Sequence, residues 1–423
     1  MERKRILVFP CGSEIGLEIH RSLRFSRHID LIGGSSVDDH GKFVFKKYIA
    51  NIPKVTSPEL LSALITIVKE YKIDAIYPTM DRVITTLKRN EHLLGCKVIS
   101  SSFETTELCL SKEATYAKLK SIISTPNLFD DLMSVNNYPV FLKPRIGYGS
   151  RGAKLISSAD EGRIHLKQFP TCIIMENLPG EEFTVDCFTD RKGELLFAKA
   201  RVRQRIKFGI SVNTHYLENN AEFFELALKL NRSIKFRGAW FFQLKRDSSN
   251  KLTLLEIASR LGGSSGVGRA LGFNFALLSV FDAFDVDVVP LLNDYKVELD
   301  RSLNSVFKLN IEYNWVYVDY DDCLVIDGKM NHVLLNYLYQ AFEKGKKIVL
   351  ISKHDGDLEH ELKQKRVDRL FDEVIHIEKT DEKINYVKEK NAIFIDDSYS
   401  ERLKISQIGL YVFSPDMVEC LIN

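Results

Sequence analysis

Both ends of this chain carry the same pattern: short apolar runs spaced by helical stretches. Near the start, the runs 5–10, 29–33 and 75–78 alternate with segments 14–25 and 57–71. Ile15, Ile19 and Leu23 fall on one face of the first segment, as helical periodicity requires. Ser57 followed by Pro58 reads as the start of the second. The pattern returns in the runs 316–319, 348–352, 374–377 and 392–396. Strands alternating with helices predict a parallel sheet, so both ends are expected to be α/β. From about residue 106 longer helices and antiparallel-looking strands at 140–143, 172–175, 184–189, 195–201 and 252–257 predict an α+β middle. With a polar stretch at 300–304 as the second boundary, the 423 residues divide into units 1–105, 106–300 and 313–423. No internal sequence repeat is visible.

Charge and composition narrow the function. Lys plus Arg number 59 against 57 Asp plus Glu, a net charge of +2, so no global field draws in nucleic acid or anionic membrane. The most apolar stretch, 272–292, is broken by Asp282, Asp285 and Asp287, which argues against a membrane span. The run 6–9 is too short for a signal sequence. Seven cysteines, at 11, 96, 109, 172, 187, 323 and 420, lack zinc or redox spacing. A cytoplasmic protein with small-molecule partners is expected, and self-association stays open. Gly12 and Gly16 begin a dinucleotide fingerprint that is not completed, so NAD or FAD is not expected.

Val140-Phe141-Leu142-Lys143-Pro144-Arg145-Ile146-Gly147-Tyr148-Gly149-Ser150-Arg151-Gly152 puts a lysine at a strand end before a glycine-rich loop. Glycines let backbone N–H groups approach phosphate oxygens, and Lys143 with the arginines adds charge. Taken alone, the segment reads equally well as a hairpin tip. It is no P-loop, because Ala153 stands where the lysine belongs. Further on, Ile173-Ile174-Met175-Glu176-Asn177-Leu178-Pro179-Gly180-Glu181-Glu182 is a strand, a polar hinge and a second strand. Gly238-Ala239-Trp240-Phe241-Phe242-Gln243 and Leu254-Leu255-Glu256-Ile257-Ala258-Ser259-Arg260 end in oxygen ligands and a basic residue.

With these motifs in this order, residues 1 to about 295 resemble the ATP-grasp superfamily, among ligases similar to carbamoyl-phosphate synthase and biotin carboxylase. The resemblance implies a pre-ATP-grasp α/β domain followed by an ATP-grasp fold, with ATP and Mg2+ (or Mn2+) as cofactors. It gives Lys112 and Lys143 to the nucleotide phosphates and Gly147, Gly149 and Ser150 to the lid. Glu176, Asn177 and Leu178 would read the adenine edge, and Glu182 would accept the ribose hydroxyls. Gln243 and Glu256 would hold the metal, which favours oxygen ligands, and Arg260 the transferred phosphoryl group. The family often reads Glu-x-Asn-Pro-Arg where this chain has Glu256-Ile257-Ala258-Ser259-Arg260, which removes a usual second-metal ligand and leaves a one-metal or water-completed site.

Arg201, Arg203 and Arg205 alternate, so on one strand they would share a face. Arg203 and Arg205 then suit a substrate carboxylate, gripped by paired hydrogen bonds. A charged edge strand is the competing reading. The implied chemistry is attack of a carboxylate on ATP, then of an amine on the acyl-phosphate. A small-molecule kinase and a nucleotide-binding scaffold with vestigial sites remain as alternatives.

In the last unit, Trp315-Val316-Tyr317-Val318-Asp319-Tyr320-Asp321-Asp322 ends a strand in acids, Ile351-Ser352 ends another in a hydroxyl, and Ile395-Asp396-Asp397 ends a third in acids. Like charges packed together call for a cation, and strand C-termini are where open parallel sheets hold ligands. Residues 313–423 thus resemble the haloacid dehalogenase (HAD) superfamily, a Rossmannoid fold. The resemblance implies Asp319 as nucleophile, Asp321 as general acid and base, Ser352 on the phosphoryl group and Lys383 as counter-charge, with Lys379 its rival. It gives the metal to Asp319, Asp321, Asp396 and Asp397. Cys323 replaces a usual threonine. A ligase fused to a Mg-dependent phosphohydrolase is therefore expected, with two sites that work independently.

Overall fold

The computed structural model describes residues 2–147, 151–207, 209–302 and 305–422. The first unit is a wholly parallel sheet in the order Tyr48–Ile49, Ile29–Gly34, Lys4–Phe9, Ala75–Pro78, Lys97–Val98. Its central strand is covered on both faces: Ile6 and Val8 pack into one core, Leu7 and Phe9 into another, which is why this strand is an unbroken apolar run. Helix Glu14–Leu23 starts where Ser13 Oγ accepts the Gly16 N–H at 3.0 Å. Gly16 is required there, since a Cβ would lie 2.3 Å from the Cys11 carbonyl oxygen. The helix expected from Ser57 starts at Leu60 instead. Ser57 Oγ closes a local turn on the Glu59 N–H instead.

The middle holds three antiparallel sheets. Leu128–Phe129, Cys172–Glu176, Val140–Pro144 and Lys154–Ile156 form one. Leu195–Val202, Glu182–Thr189, Gly238–Arg246 and Leu252–Ala258 form the second. The third, unforeseen in the sequence, joins Arg205–Lys207, Ile210–His215, Val297–Arg301 and Ser305–Leu309. Its last two strands pair across the stretch read above as a domain boundary, so the middle unit extends to Leu309 rather than stopping near 300.

The last unit is again a parallel sheet, ordered Glu373–His376, Lys347–Ser352, Trp315–Val318, Ala392–Ile395, Tyr411–Phe413. It is not packed as a free-standing domain. One continuous core runs from Val267, Leu271, Val297 and Phe307 into Val316, Leu338, Phe413 and Val418. Beside it Arg269, 1% exposed, donates to Glu18 Oε1 (2.9 Å), the Asp416 carbonyl (2.8 Å) and Glu419 Oε1 (2.7 Å). One guanidinium thus ties all three units together. All seven cysteines are unpaired. Among the described residues no helix is long and apolar enough to cross a membrane.

Candidate functional site

The second middle sheet has one apolar and one polar face. Phe183, Val185 and Cys187 point into its core, so Glu182, Thr184 and Asp186 point the other way. Register extends this polar face across the sheet: Arg201 and Gln243 both lie opposite Thr184, and Glu256 lies opposite Gln243. Glu182, Gln243 and Glu256, which lie on three separate strands, therefore share a surface.

Lys143 comes to that surface from the neighbouring sheet. Its Nζ donates to the Tyr116 hydroxyl (2.7 Å) and the Leu255 carbonyl (2.9 Å), and it forms no ion pair among the described residues. Burial, helped by the nearby Lys112 charge and opposed by Glu256 and Glu182, brings its pKa down to about 7. A buried cation with only neutral ligands suits an incoming phosphate. Lys112 opens helix Lys112–Leu119 behind the Ser111 cap. Its N–H donates to the Arg145 carbonyl (3.1 Å) and its Nζ to the Gly147 carbonyl (3.3 Å), so Lys112 is tied to the start of the glycine loop. Gly149 and Ser150 lie outside the described residues. Tyr116 was missed in the sequence, although it sits four residues after Lys112, on the same helix face.

Glu176 ends strand Cys172–Glu176, and its carboxylate accepts the Asn127 backbone N–H (2.9 Å) and side-chain amide (3.1 Å). The acid therefore fixes the hinge. Asn177 follows it, half-buried, and Leu178 is buried. Gln243 and Glu256, as adjacent oxygen donors on the face that meets Lys143, fit a hard divalent cation.

The arginine strip is not one strip. The strand carrying Arg201 stops at Val202, and Arg205 begins a strand of another sheet. Arg201 is locked to Asp186 by two bonds (2.8 and 3.3 Å). Arg203 pairs with Glu182 at 2.7 Å. Arg205, at the surface, pairs with Asp300. The structure thus brings Arg203 to the site and leaves Arg205 outside it. Arg260 is engaged by a residue not foreseen: its Nε and Nη2 donate to Asp81 Oδ1 (2.7 Å) and Oδ2 (2.9 Å).

At the C-terminal sheet, Asp319, Ser352 and Asp396 stand at or just past the ends of adjacent parallel strands. Carboxylate oxygens of Asp319, Asp396 and Asp397 lie within 4.8 Å of one another, a hard-oxygen set suited to a divalent cation. Lys383 Nζ bridges Asp319 Oδ1 (2.7 Å) and Asp396 Oδ2 (2.6 Å). Burial and the neighbouring Asp396 push the Asp319 pKa up. Asp397 is pushed up to about 6, by burial and then by Asp396. Ser352 Oγ is buried without a hydrogen-bond partner among the described residues. Lys379 pairs with Asp355 at the surface, which leaves Lys383 as the inward lysine. Asp321 stands apart from the acid group: both its oxygens lie 3.0 Å from His354 Nδ1. His354, two residues beyond Ser352, was also missed.

Together, the paired middle sheets with their polar face and two lysines, set behind a parallel α/β unit, define the ATP-grasp fold within an α/β multidomain chain. Residues 168–300 match the family described as "ATP-grasp in the biosynthetic pathway with Ter operon". D-alanine--D-alanine ligase from Thermotoga petrophila is 28% identical over 131 residues, which cover 29% of this chain and 43% of that enzyme. The chain therefore matches less than half the length of this curated relative. Among solved structures, biotin carboxylase from Campylobacter jejuni in its β-γ-ATP complex aligns with a TM-score of 0.59 at 18% identity, over 71% of this chain and 76% of that one. N5-carboxyaminoimidazole synthetase from Staphylococcus aureus, complexed with ADP, aligns with a TM-score of 0.59 at 16% identity, over 72% and 83%.

Proposed function

We propose that the first two units form an ATP-dependent ligase that joins a carboxylate to an amine through an acyl-phosphate. The observation that carries this reading is the single polar face on which Glu182, Gln243 and Glu256 meet the buried, carboxylate-free Lys143. A D-alanine--D-alanine ligase among the relatives supports the reaction class. Lys112, Lys143 and the loop bearing Gly147, Gly149 and Ser150 would hold the phosphates. Glu176, Asn177 and Leu178 would meet the base edge. Glu182 would take the ribose hydroxyls, and its ion pair moves Arg203 to the nucleotide rather than to the substrate carboxylate. Gln243 and Glu256 would hold Mg2+, which neutralises phosphate charge when bound.

A substrate carboxylate oxygen bonds to the γ-phosphorus as the bond to ADP breaks. The amine nitrogen then bonds to the acyl carbon and loses a proton, and inorganic phosphate leaves. Little acid–base chemistry is demanded; positioning and charge neutralisation by the lysines and Arg260 do most of it. The test is ADP release with Mg-ATP and a panel of amino acids and sugar acids. Release that needs both a carboxylate and an amine supports the ligase, and amine-independent phosphorylation of a panel compound replaces it with a kinase.

For the last unit we propose a Mg-dependent phosphohydrolase of the HAD type. The supporting observation is the acid trio, two of whose members Lys383 bridges, beside the free Ser352 hydroxyl. Asp319 bonds to phosphorus while the alcohol leaves with a proton from Asp321. Water, losing its proton to Asp321, then frees phosphate and restores Asp319. Asp321 has to release His354 to act. Hydrolysis of p-nitrophenyl phosphate with Mg2+ tests this, and no hydrolysis by the folded protein across a panel of phosphate esters counts against it.

A further inference from the structure

We infer that Asp81, in the first unit, is a positioning residue for Arg260, and so for the phosphoryl transfer proposed above, on which the inference rests. Two bonds from the Arg260 Nε and Nη2 to the two Asp81 oxygens use the side edge of the guanidinium. The planar group has five N–H donors. Among the described residues Nη1 makes only a long contact, 3.4 Å, to the Leu261 carbonyl. The terminal edge, formed by Nη1 and the second N–H of Nη2, thus stays available for a phosphoryl or carboxylate oxygen. The Phe241 ring, its centroid 5.3 Å from the guanidinium carbon, limits rotation of the plane.

The support behind Asp81 is itself fixed. Asp81 is the first residue of helix Asp81–Arg89, where the helix dipole favours a carboxylate. Two residues before it, Thr79 is 1% exposed; its Oγ1 donates to the Pro10 carbonyl at 2.7 Å and accepts from Ser13 Oγ at 2.9 Å. The turn that presents Asp81 is therefore tied to the first turn of the chain. Burial opposes the Arg260 charge, but Asp81, joined by the Glu256 charge, offsets it and holds the group above its usual pKa. Beside the pair, Tyr77, Pro78, Ser100, Ser259 and Arg260 line a cavity of about 340 Å³, within the size range of small-molecule sites. An arginine without this carboxylate keeps its charge and loses its fixed plane, and misplacement on the scale of an ångström is costly in group transfer.

The test is a double-mutant cycle on ADP release by the full chain, using Asp81→Ala, Asp81→Glu, Arg260→Lys and the pair Asp81→Ala with Arg260→Lys. Lysine has no fork to orient. Asp81→Ala is expected to lower kcat by about 10–100-fold with KM for ATP within about twofold, Asp81→Glu to recover part of the loss, and the pair to be no slower than Arg260→Lys alone. Equal losses in both arginine backgrounds, accompanied by matching falls in Tm, would make Asp81 a mere interface contact and overturn the inference. A rise in kcat/KM for the carboxylate in Asp81→Ala would make Asp81 a plug and also overturn it. Wild-type protein that releases no ADP with any panel compound overturns the ligase reading and this inference together, whereas normal turnover with an additive cycle overturns the inference alone.

Discussion

The ammonium of Lys143 is held between two neutral oxygens, the Tyr116 hydroxyl at 2.7 Å and the Leu255 carbonyl at 2.9 Å. Its folded pKa, about 7, lies below the ordinary lysine value of 10.5. Between those values the unfolded chain binds the proton more tightly, so this residue's contribution to stability rises with pH across the window. Lys143→Met is accordingly expected to stabilise the ligand-free protein at pH 6, by roughly 1–3 kcal/mol, with the gain shrinking as pH climbs past 7. Thermal unfolding of both proteins across pH 6 to 9 checks the sign, and a gain that grows with pH contradicts it.

Nucleotide phosphates favour the charged form of the same lysine. Mg-ATP binding at pH 8 is expected to take up a proton, and affinity to fall as pH rises through 7. Calorimetry in two buffers of different ionisation enthalpy measures the uptake. Lys143→Met should abolish it.

Glu256→Gln and Lys143→Ala are each expected to lower kcat/KM for ADP release by at least about 100-fold while the far-UV spectrum stays unchanged. Unaltered turnover in either variant counts against the nucleotide site.

Arg203 and Arg205 are expected to differ. Arg203→Ala strips Glu182 of its buried partner and should raise KM for ATP several-fold. Arg205→Ala removes a surface pair with Asp300, and such pairs contribute about 0–1 kcal/mol, so its kinetics should stay within about twofold. A selective rise in KM for the carboxylate in Arg205→Ala restores the strip that the sequence suggested.

Asp319→Asn is expected to eliminate p-nitrophenyl phosphate hydrolysis and leave ADP release intact, since asparagine keeps the shape but is a poor nucleophile. Millimolar Mg2+ should raise Tm by a few degrees through binding the folded state, and Asp397→Asn should shrink that rise. Loss of ADP release together with hydrolysis indicates that the two sites are coupled.

Much of this was readable in the sequence because it is local. Asp319 and Asp396 follow directly on apolar strands, and Lys143 and Glu256 sit in runs whose alternation fixes their face. What stayed hidden depends on partners far along the chain. Asp81 and Arg260 are 179 residues apart. The sheet that takes Val297–Arg301 is built from short, charged strands whose pairing no single segment reveals. The alternation of Arg201, Arg203 and Arg205 misled because the chain leaves one sheet after Val202, which periodicity cannot register.

The Arg269 junction has a consequence for synthesis. Glu18 is made early and Arg269 midway, yet both sit in a seat that only residues 416–419 close. During translation the apolar face of the helix bearing Glu18, with Ile19 and Leu23, can pack at once on Ile6, Val8 and Ile29 of its own unit, while the Glu18 carboxylate waits for Arg269. A chain that ends before residue 416 lacks two acceptors of Arg269 and the segment that covers it. Where such a charge stays buried, losing a partner costs about 3–5 kcal/mol, a large part of a domain's net stability. Copies that lack residues 416–419 are therefore expected to unfold more readily than the full chain.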